Sequence, residues 1–181
     1  MSILRVAQAG HPVLRMRSEP VDPEVIPTPE FQGFLRDLLD TMEDYDGAGL
    51  AAPQVHEPMR VVVLVLSDER GPEFLINPVV TPVGEEQIVS FEGCLSVPKV
   101  RAEVTRHKAI RVEFLDDKGE PQLLELHGYP AIVVQHETDH LDGVLYIDRC
   151  DPRTFSYLDE YRRFGGLQFD ERGELVLSEE E

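Results

Sequence analysis

The stretch QHETDH, Gln135 to His140, holds two histidines four residues apart with a glutamate beside the first. On a helix that spacing puts His136 and His140 on one face. Both imidazoles can then reach one ion, while Glu137 lies next to whatever completes the coordination sphere. Ile132 and Val133, four and three residues earlier, set the same face against apolar surroundings. A buried His-Glu-His cluster without an ion leaves polar groups unpaired there, which favours a metal over two solvated histidines. Two imidazoles do not finish a metal site, so a third protein ligand must come from elsewhere in the chain.

Several residues are candidates. In the longer pattern HExxHxxGxxH the glycine falls on Gly143, but the last position is Tyr146 rather than histidine. Glu160, twenty residues after His140, loosely meets the downstream glutamate of thermolysin-like zinc sites. His11, His56, His107 and His127 stand in ordinary turn or strand contexts. Cys94, in FEGCLS, ends an apolar strand beside a glycine, although an isolated cysteine is more often a small buried hydrophobe. Spacing alone leaves the choice open.

The elements that must position these residues follow from pattern. Thr28-Pro29 is an N-cap followed by proline at the first helical position. Phe31, Phe34, Leu35, Leu38, Leu39 and Met42 then share one face, which predicts a helix from Pro29 to Tyr45. The glycines and proline of DGAGLAAPQ end it and suggest a backbone that turns tightly or approaches something closely. Strands are predicted at RVVVLVLS (Arg60 to Ser67), FLINPVV and EQIVSFEGCLSV. A hairpin is predicted from AIRVEFLD and PQLLELH about Asp117-Lys118-Gly119. A second helix begins near Pro130 and stops at Asp142-Gly143; DPRTFSYLDEYRRF has a third helical pattern. Residues from about 170 to 181 are expected to be a frayed acidic tail. No repeat or linker divides the 181 residues, so one domain over 1–181 is expected.

Composition narrows the function. No apolar run approaches the roughly 18 residues needed to span a bilayer, and no signal segment opens the chain, so a soluble cytoplasmic protein without a membrane partner is expected. The two cysteines, Cys94 and Cys150, stand in unlike contexts and do not suggest a disulfide framework; Cys150 is read as structural. A net charge of −18 opposes binding to a phosphate backbone, which argues against a nucleic-acid reader.

Taken together, GAGLAAPQ (Gly47 to Gln54), EGCLS (Glu92 to Ser96) and QHETDHL (Gln135 to Leu141) resemble the three signature motifs of peptide deformylase, in the family's order. GHPVLR (Gly10 to Arg15) resembles the family's opening segment, and the likeness runs from Ile3 to about Asp148. The resemblance implies an α+β fold, with mixed, mainly antiparallel strands around a central HExxH-bearing helix. An N-terminal helix and a C-terminal helical segment complete that expectation. The spacing of 40 positions from Gln54 to Cys94 leaves no room for a long insertion and resembles the compact bacterial form.

The same resemblance implies Cys94, His136 and His140 as ligands of one divalent ion, generally Fe2+ in the family, with Zn2+, Ni2+ or Co2+ as substitutes. It makes Glu137 the general acid/base, and Gln54 and the Leu95 backbone N–H the donors to the developing oxyanion. The implied substrate is an N-formylmethionyl nascent peptide, hydrolysed to formate and a free amine. Tyr129, Ile132 and Val133 are expected to line the methionine pocket or to be core, and Gly47 and Gly49 to hold the peptide main chain. Glu92, Gln135 and Asp139 are candidates to orient the ligands, with Arg101 the favoured partner of a buried carboxylate and Arg106 expected to be solvated. Two features depart from the family pattern. His56 stands where glycine is frequent, and residues 151–181 carry nine acidic and four basic side chains where a basic helix can help dock some deformylases to the ribosome. A balance of −5 disfavours docking through this tail. A monomer is expected. The rivals are a zinc endopeptidase using Glu160 and a non-catalytic metal-binding relative.

Overall fold

The structure, a computed structural model, describes residues 2–65, 71–169 and 174–176. Among these are α1 (Pro29–Asp44), α2 (Tyr129–Leu141) and α3 (Leu158–Phe164). The strands are β1 (Gly49–Ala51), β2 (Val61–Val65), β3 (Pro72–Pro82), β4 (Gln87–Cys94), β5 (Val97–His107), β6 (Ala109–Leu115), β7 (Pro121–His127), β8 (Ser156–Tyr157), β9 (Gln168–Phe169) and β10 (Leu175–Val176). They form an antiparallel sheet in the order β1-β2-β3-β6-β7, a second in the order β4-β5-β8, and a ribbon of β9 with β10. The fold is mixed α+β with antiparallel sheets.

The unbroken apolar run of β2 has a direct physical reason. Val61 and Val63 pack with Leu35, Leu38 and Met42 of α1, whereas Val62 and Leu64 pack with Ala131, Val134 and Leu141 of α2. Alternate side chains of a strand point to opposite faces, so a strand with a helix cluster on each side must be apolar at every position. α1 starts as expected: the Thr28 hydroxyl accepts the Phe31 N–H at 3.3 Å, with Pro29 at the first helical position. A third cluster, with Leu14, Val97, Ala102, Val104 and Tyr146, seats the β4–β5 hairpin.

Two expectations need correction. The predicted strand EQIVSFEGCLSV ends at Cys94; Leu95 and Ser96 make a turn, and β5 follows over eleven residues, of which pattern reading had assigned only Val97. β5 does alternate, with Ala102, Val104 and Arg106 buried, but an arginine on the inner face breaks the apolar signal. The third helical pattern contributes a helix only from Leu158, because Ser156 and Tyr157 pair with Arg101 and Val100 as β8. Within the expected tail, Leu175–Val176 pairs with Gln168–Phe169 just before it, and 170–173 and 177–181 lie outside the described residues. No helix among the described residues is long and apolar enough to cross a membrane.

Candidate active site

α2 separates two concavities. Ile132, Val133, His136 and Glu137 face a cleft of about 600 Å³, which Gly47, Gly49, Gln54, Glu92, Cys94, Leu95, Arg101 and Tyr129 also line. Gln135, Thr138 and Asp139 face the other side. Tyr129 is 64% exposed at the helix start, while Ile132 and Val133 are buried and Val133 is also part of the α2 core.

At the inner end of the cleft the ligand-capable atoms of Cys94, His136 and His140 all lie within 4.8 Å of one another. His140 Nε2 is 3.3 Å from Cys94 Sγ, and His136 Nδ1 is 2.7 Å from Glu92 Oε2. A carboxylate on Nδ1 fixes the ring and leaves Nε2 as the ligating nitrogen. Tyr146, buried and stacked on His136 at 6.0 Å between ring centroids, holds that ring from one side. The residue that interrupts the longer histidine pattern is thus a packing partner of the first histidine.

Charge is arranged for a cation. Burial pushes the His136 pKa down, but its bonds to Cys94 and Glu92 and the charge of Glu137 outweigh this and hold it well above its ordinary value. His140 is pushed well below its ordinary value, by burial first and then by the positive charges of His136 and Arg106. Burial raises Glu137 to about 7, with Glu92 adding repulsion and His136 and Arg106 opposing. Glu137 Oε2 and His140 Nδ1 are buried without a hydrogen-bond partner. One thiol, two imidazoles and a neighbouring carboxylate, convergent and with two buried polar atoms unpartnered, fit a first-row transition ion better than they fit one another.

Gln54 and the glycines position the rest. Gln54 Oε1 accepts the Ala51 N–H at 2.8 Å, which turns Nε2 toward Cys94 Sγ at 3.5 Å and Ser96 Oγ at 3.2 Å. The N-terminal segment ties these two motifs together, Ala7 N–H donating to the Gln54 carbonyl and Ala9 N–H to that of Ser96. A Cβ on Gly49 would lie 2.7 Å from the Glu137 side chain, so the close approach read from DGAGLAAPQ is to this carboxylate. Gly47 lies against the Leu95 side chain, where an added Cβ would be 3.1 Å away.

The surrounding ion pairs correct the sequence reading. Arg106, expected to be solvated, is 4% exposed. It donates to Glu92 through Nε (2.8 Å) and Nη2 (3.0 Å), and to Asp139 Oδ2 through Nη1 (2.6 Å). Burial pushes the Glu92 pKa up, but the bonds from His136 and Arg106 outweigh it and hold the carboxyl at about 2. Arg101, on the opposite face of β5, does not partner Glu92; its guanidinium lies over Gly93, where a Cβ would be 2.8 Å away. Asp139 also accepts from Arg149 at 2.7 and 2.8 Å. Gln135 bonds the His107 backbone in both directions and the Ala131 carbonyl, so it ties α2 to β5 rather than touching a ligand. Arg149 and Ser96 were missed. The buried alternation of β5 was the available signal for Arg106, whereas nothing local marks Arg149.

Among the described residues Glu160, His11, His56 and His127 are exposed and His107 is half-buried, and all five lie outside the cysteine-histidine cluster. His56 takes a left-handed backbone, φ 71°, which is why glycine suits this position, and its ring packs edge-on to His11 at 4.6 Å. Both cysteines are free.

This combination of fold and side chains defines a metal-dependent hydrolase class. The chain matches the polypeptide deformylase family over residues 3–156. It is 44% identical over 154 residues to peptide deformylase 2 of Xanthomonas campestris, covering 84% of this chain and 89% of that protein. A class I type b peptide deformylase from Acinetobacter baumannii, solved with the ligand K1U, superposes with TM-score 0.79 at 34% identity, covering 82% of this chain and all of the other. The peptide deformylase of Thermotoga maritima superposes at 0.78 with 40% identity, covering 84% and 100%. The chain belongs to the peptide deformylase family, metal-dependent enzymes that remove the N-formyl group from nascent peptides.

Proposed function

We propose that this chain hydrolyses the formyl group from N-formylmethionyl peptides in the cytoplasm, with Cys94, His136 and His140 holding the ion and α2 as the central HExxH helix. The observation that carries the reading is the convergence of those three ligand atoms within 4.8 Å, beside a buried, unpartnered Glu137 oxygen. A divalent ion bound there supplies positive charge that acidifies a water and polarises the formyl oxygen. Ferrous iron is the proposed ion in the cell, and zinc, nickel and cobalt suit the same donors.

Glu137, buried beside the ligands with one oxygen unpartnered, takes a proton from the attacking water and returns it to the departing amine. Water adds to the formyl carbon, the C–N bond breaks, and formate and a free methionine amine leave. Gln54 Nε2, oriented by Ala51, and the Leu95 N–H in the turn after Cys94 donate to the oxygen as it gains negative charge. Glu92 fixes the tautomer of His136, and Arg106 neutralises Glu92. Ile132, Val133 and Tyr129 line the methionine side chain's place, and the peptide main chain lies along Gly47, Gly49 and the free edge of β4. The chain works as a monomer and meets the ribosome transiently, not through its acidic end.

Protein purified without oxygen and analysed for metal is expected to release formate from formyl-Met-Ala-Ser. Cys94→Ser is expected to lose the ion and the activity together. A fully loaded protein that releases no formate favours a metal-binding relative, and full retention of metal and activity by Cys94→Ser refutes the ligand assignment.

A further inference from the structure

α3 lies beyond the stretch matched by the family, yet it reaches the cleft. β8 extends the β4–β5 sheet through Val100 and Arg101 and delivers Leu158, which is half-buried and lines the cleft with Phe91, Cys94 and His136. Tyr161, three residues on and so on the same helix face, packs on Phe91 with ring centroids 5.1 Å apart. Gly166 closes over the same ring, where a Cβ would lie 2.1 Å from Phe91. The charged residues of α3, Asp159, Glu160, Arg162 and Arg163, are exposed, so the face turned to the cleft is apolar. A cleft of about 600 Å³ is in the range that holds a drug-sized ligand and exceeds one methionine side chain, so it has room for residues after the first.

We propose that Leu158 is a specificity-determining residue, giving an apolar contact to the side chain of a residue that follows the formylmethionine, and that Tyr161 positions it against Phe91. The proposal rests on the deformylase reading. It makes this chain favour a branched aliphatic side chain over a small one at the second or third position of the peptide. The contact is supplied by a C-terminal segment that lies outside the family-matched residues 3–156.

The test compares kcat and KM for formyl-Met-Ala-Ala, formyl-Met-Leu-Ala and formyl-Met-Ala-Leu with the full-length, metal-loaded protein. The natural chain is expected to prefer at least one leucine peptide. Leu158→Ala is expected to cut that preference about tenfold, mainly through KM, the scale of losing one apolar contact in a pocket. Leu158→Met keeps most of it, and Tyr161→Ala loses part. If Leu158→Ala does not fold, Tyr161→Ala reads the same ratio, with Leu158→Met as the conservative control. An unchanged ratio, or an equal fall for all three peptides, overturns the proposal while leaving the deformylase reading intact. Absence of formate from every peptide with the natural chain overturns the deformylase reading itself.

Discussion

Arg106→Met removes a buried cation and leaves the hydrocarbon stem nearly matched in volume. The guanidinium makes three charge-assisted bonds of 2.6 to 3.0 Å to two carboxylates and is 4% exposed, with Glu92 6% exposed. Asp139 keeps Arg149, but Glu92 keeps only His136. Breaking a buried pair from one side costs about 3–5 kcal/mol, because the remaining charge has lost the water that once solvated it. In a chain of this length, each kcal/mol moves Tm by roughly 2–4 °C, so a drop of roughly 6–20 °C is expected. Urea unfolding of chelator-treated protein, followed by circular dichroism, measures the loss without the stabilisation that a bound ion adds. Adding Glu92→Gln to Arg106→Met is expected to recover part of the loss, since it removes the stranded charge. Arg111→Ala, whose partner Glu125 is half exposed, is the surface control and should cost no more than about 1 kcal/mol. A loss below about 1 kcal/mol for Arg106→Met refutes the reasoning, because that is the worth of a solvated pair.

The Glu92 carboxyl, held at about 2 against an ordinary 4.5, gives stability that is fully present above the unfolded value and lost as pH falls through the folded one. Metal-free protein is therefore expected to lose about 3 kcal/mol from this group between pH 4.5 and 2; an equally steep acid limb in Glu92→Gln refutes it. Glu137→Gln is expected to keep its metal and lose roughly a hundredfold to ten-thousandfold in formate release, and a loss under about tenfold removes Glu137 from the proton transfers. Gly49→Ala puts a Cβ 2.7 Å from Glu137 and is expected to displace the carboxylate, lowering kcat about a hundredfold; unchanged kcat in a folded variant counts against the tight approach.

Local pattern determined much of this protein by itself. Thr28-Pro29 and the apolar face to Met42 specify α1, since capping and a 3.6-residue period are properties of contiguous chain. The His136–His140 spacing needs only a helix to become one face, and the motif order carried the family resemblance. Tertiary structure decided what joins distant residues. Sequence spacing left the third member of the cluster open among Cys94, Glu160 and four histidines. The β4–β5 turn brings Cys94 within 3.3 Å of His140, while Glu160 stays on an exposed helix. Arg106 and Arg101 are both plausible partners for Glu92 in sequence; strand alternation and register turn one inward and lay the other over Gly93. That choice is non-local because burial of a charge depends on which carboxylates the other elements bring to it. The same holds for Leu158. Its helical periodicity was visible, but its place in the cleft exists only because β8 pairs with β5 and Tyr161 finds Phe91.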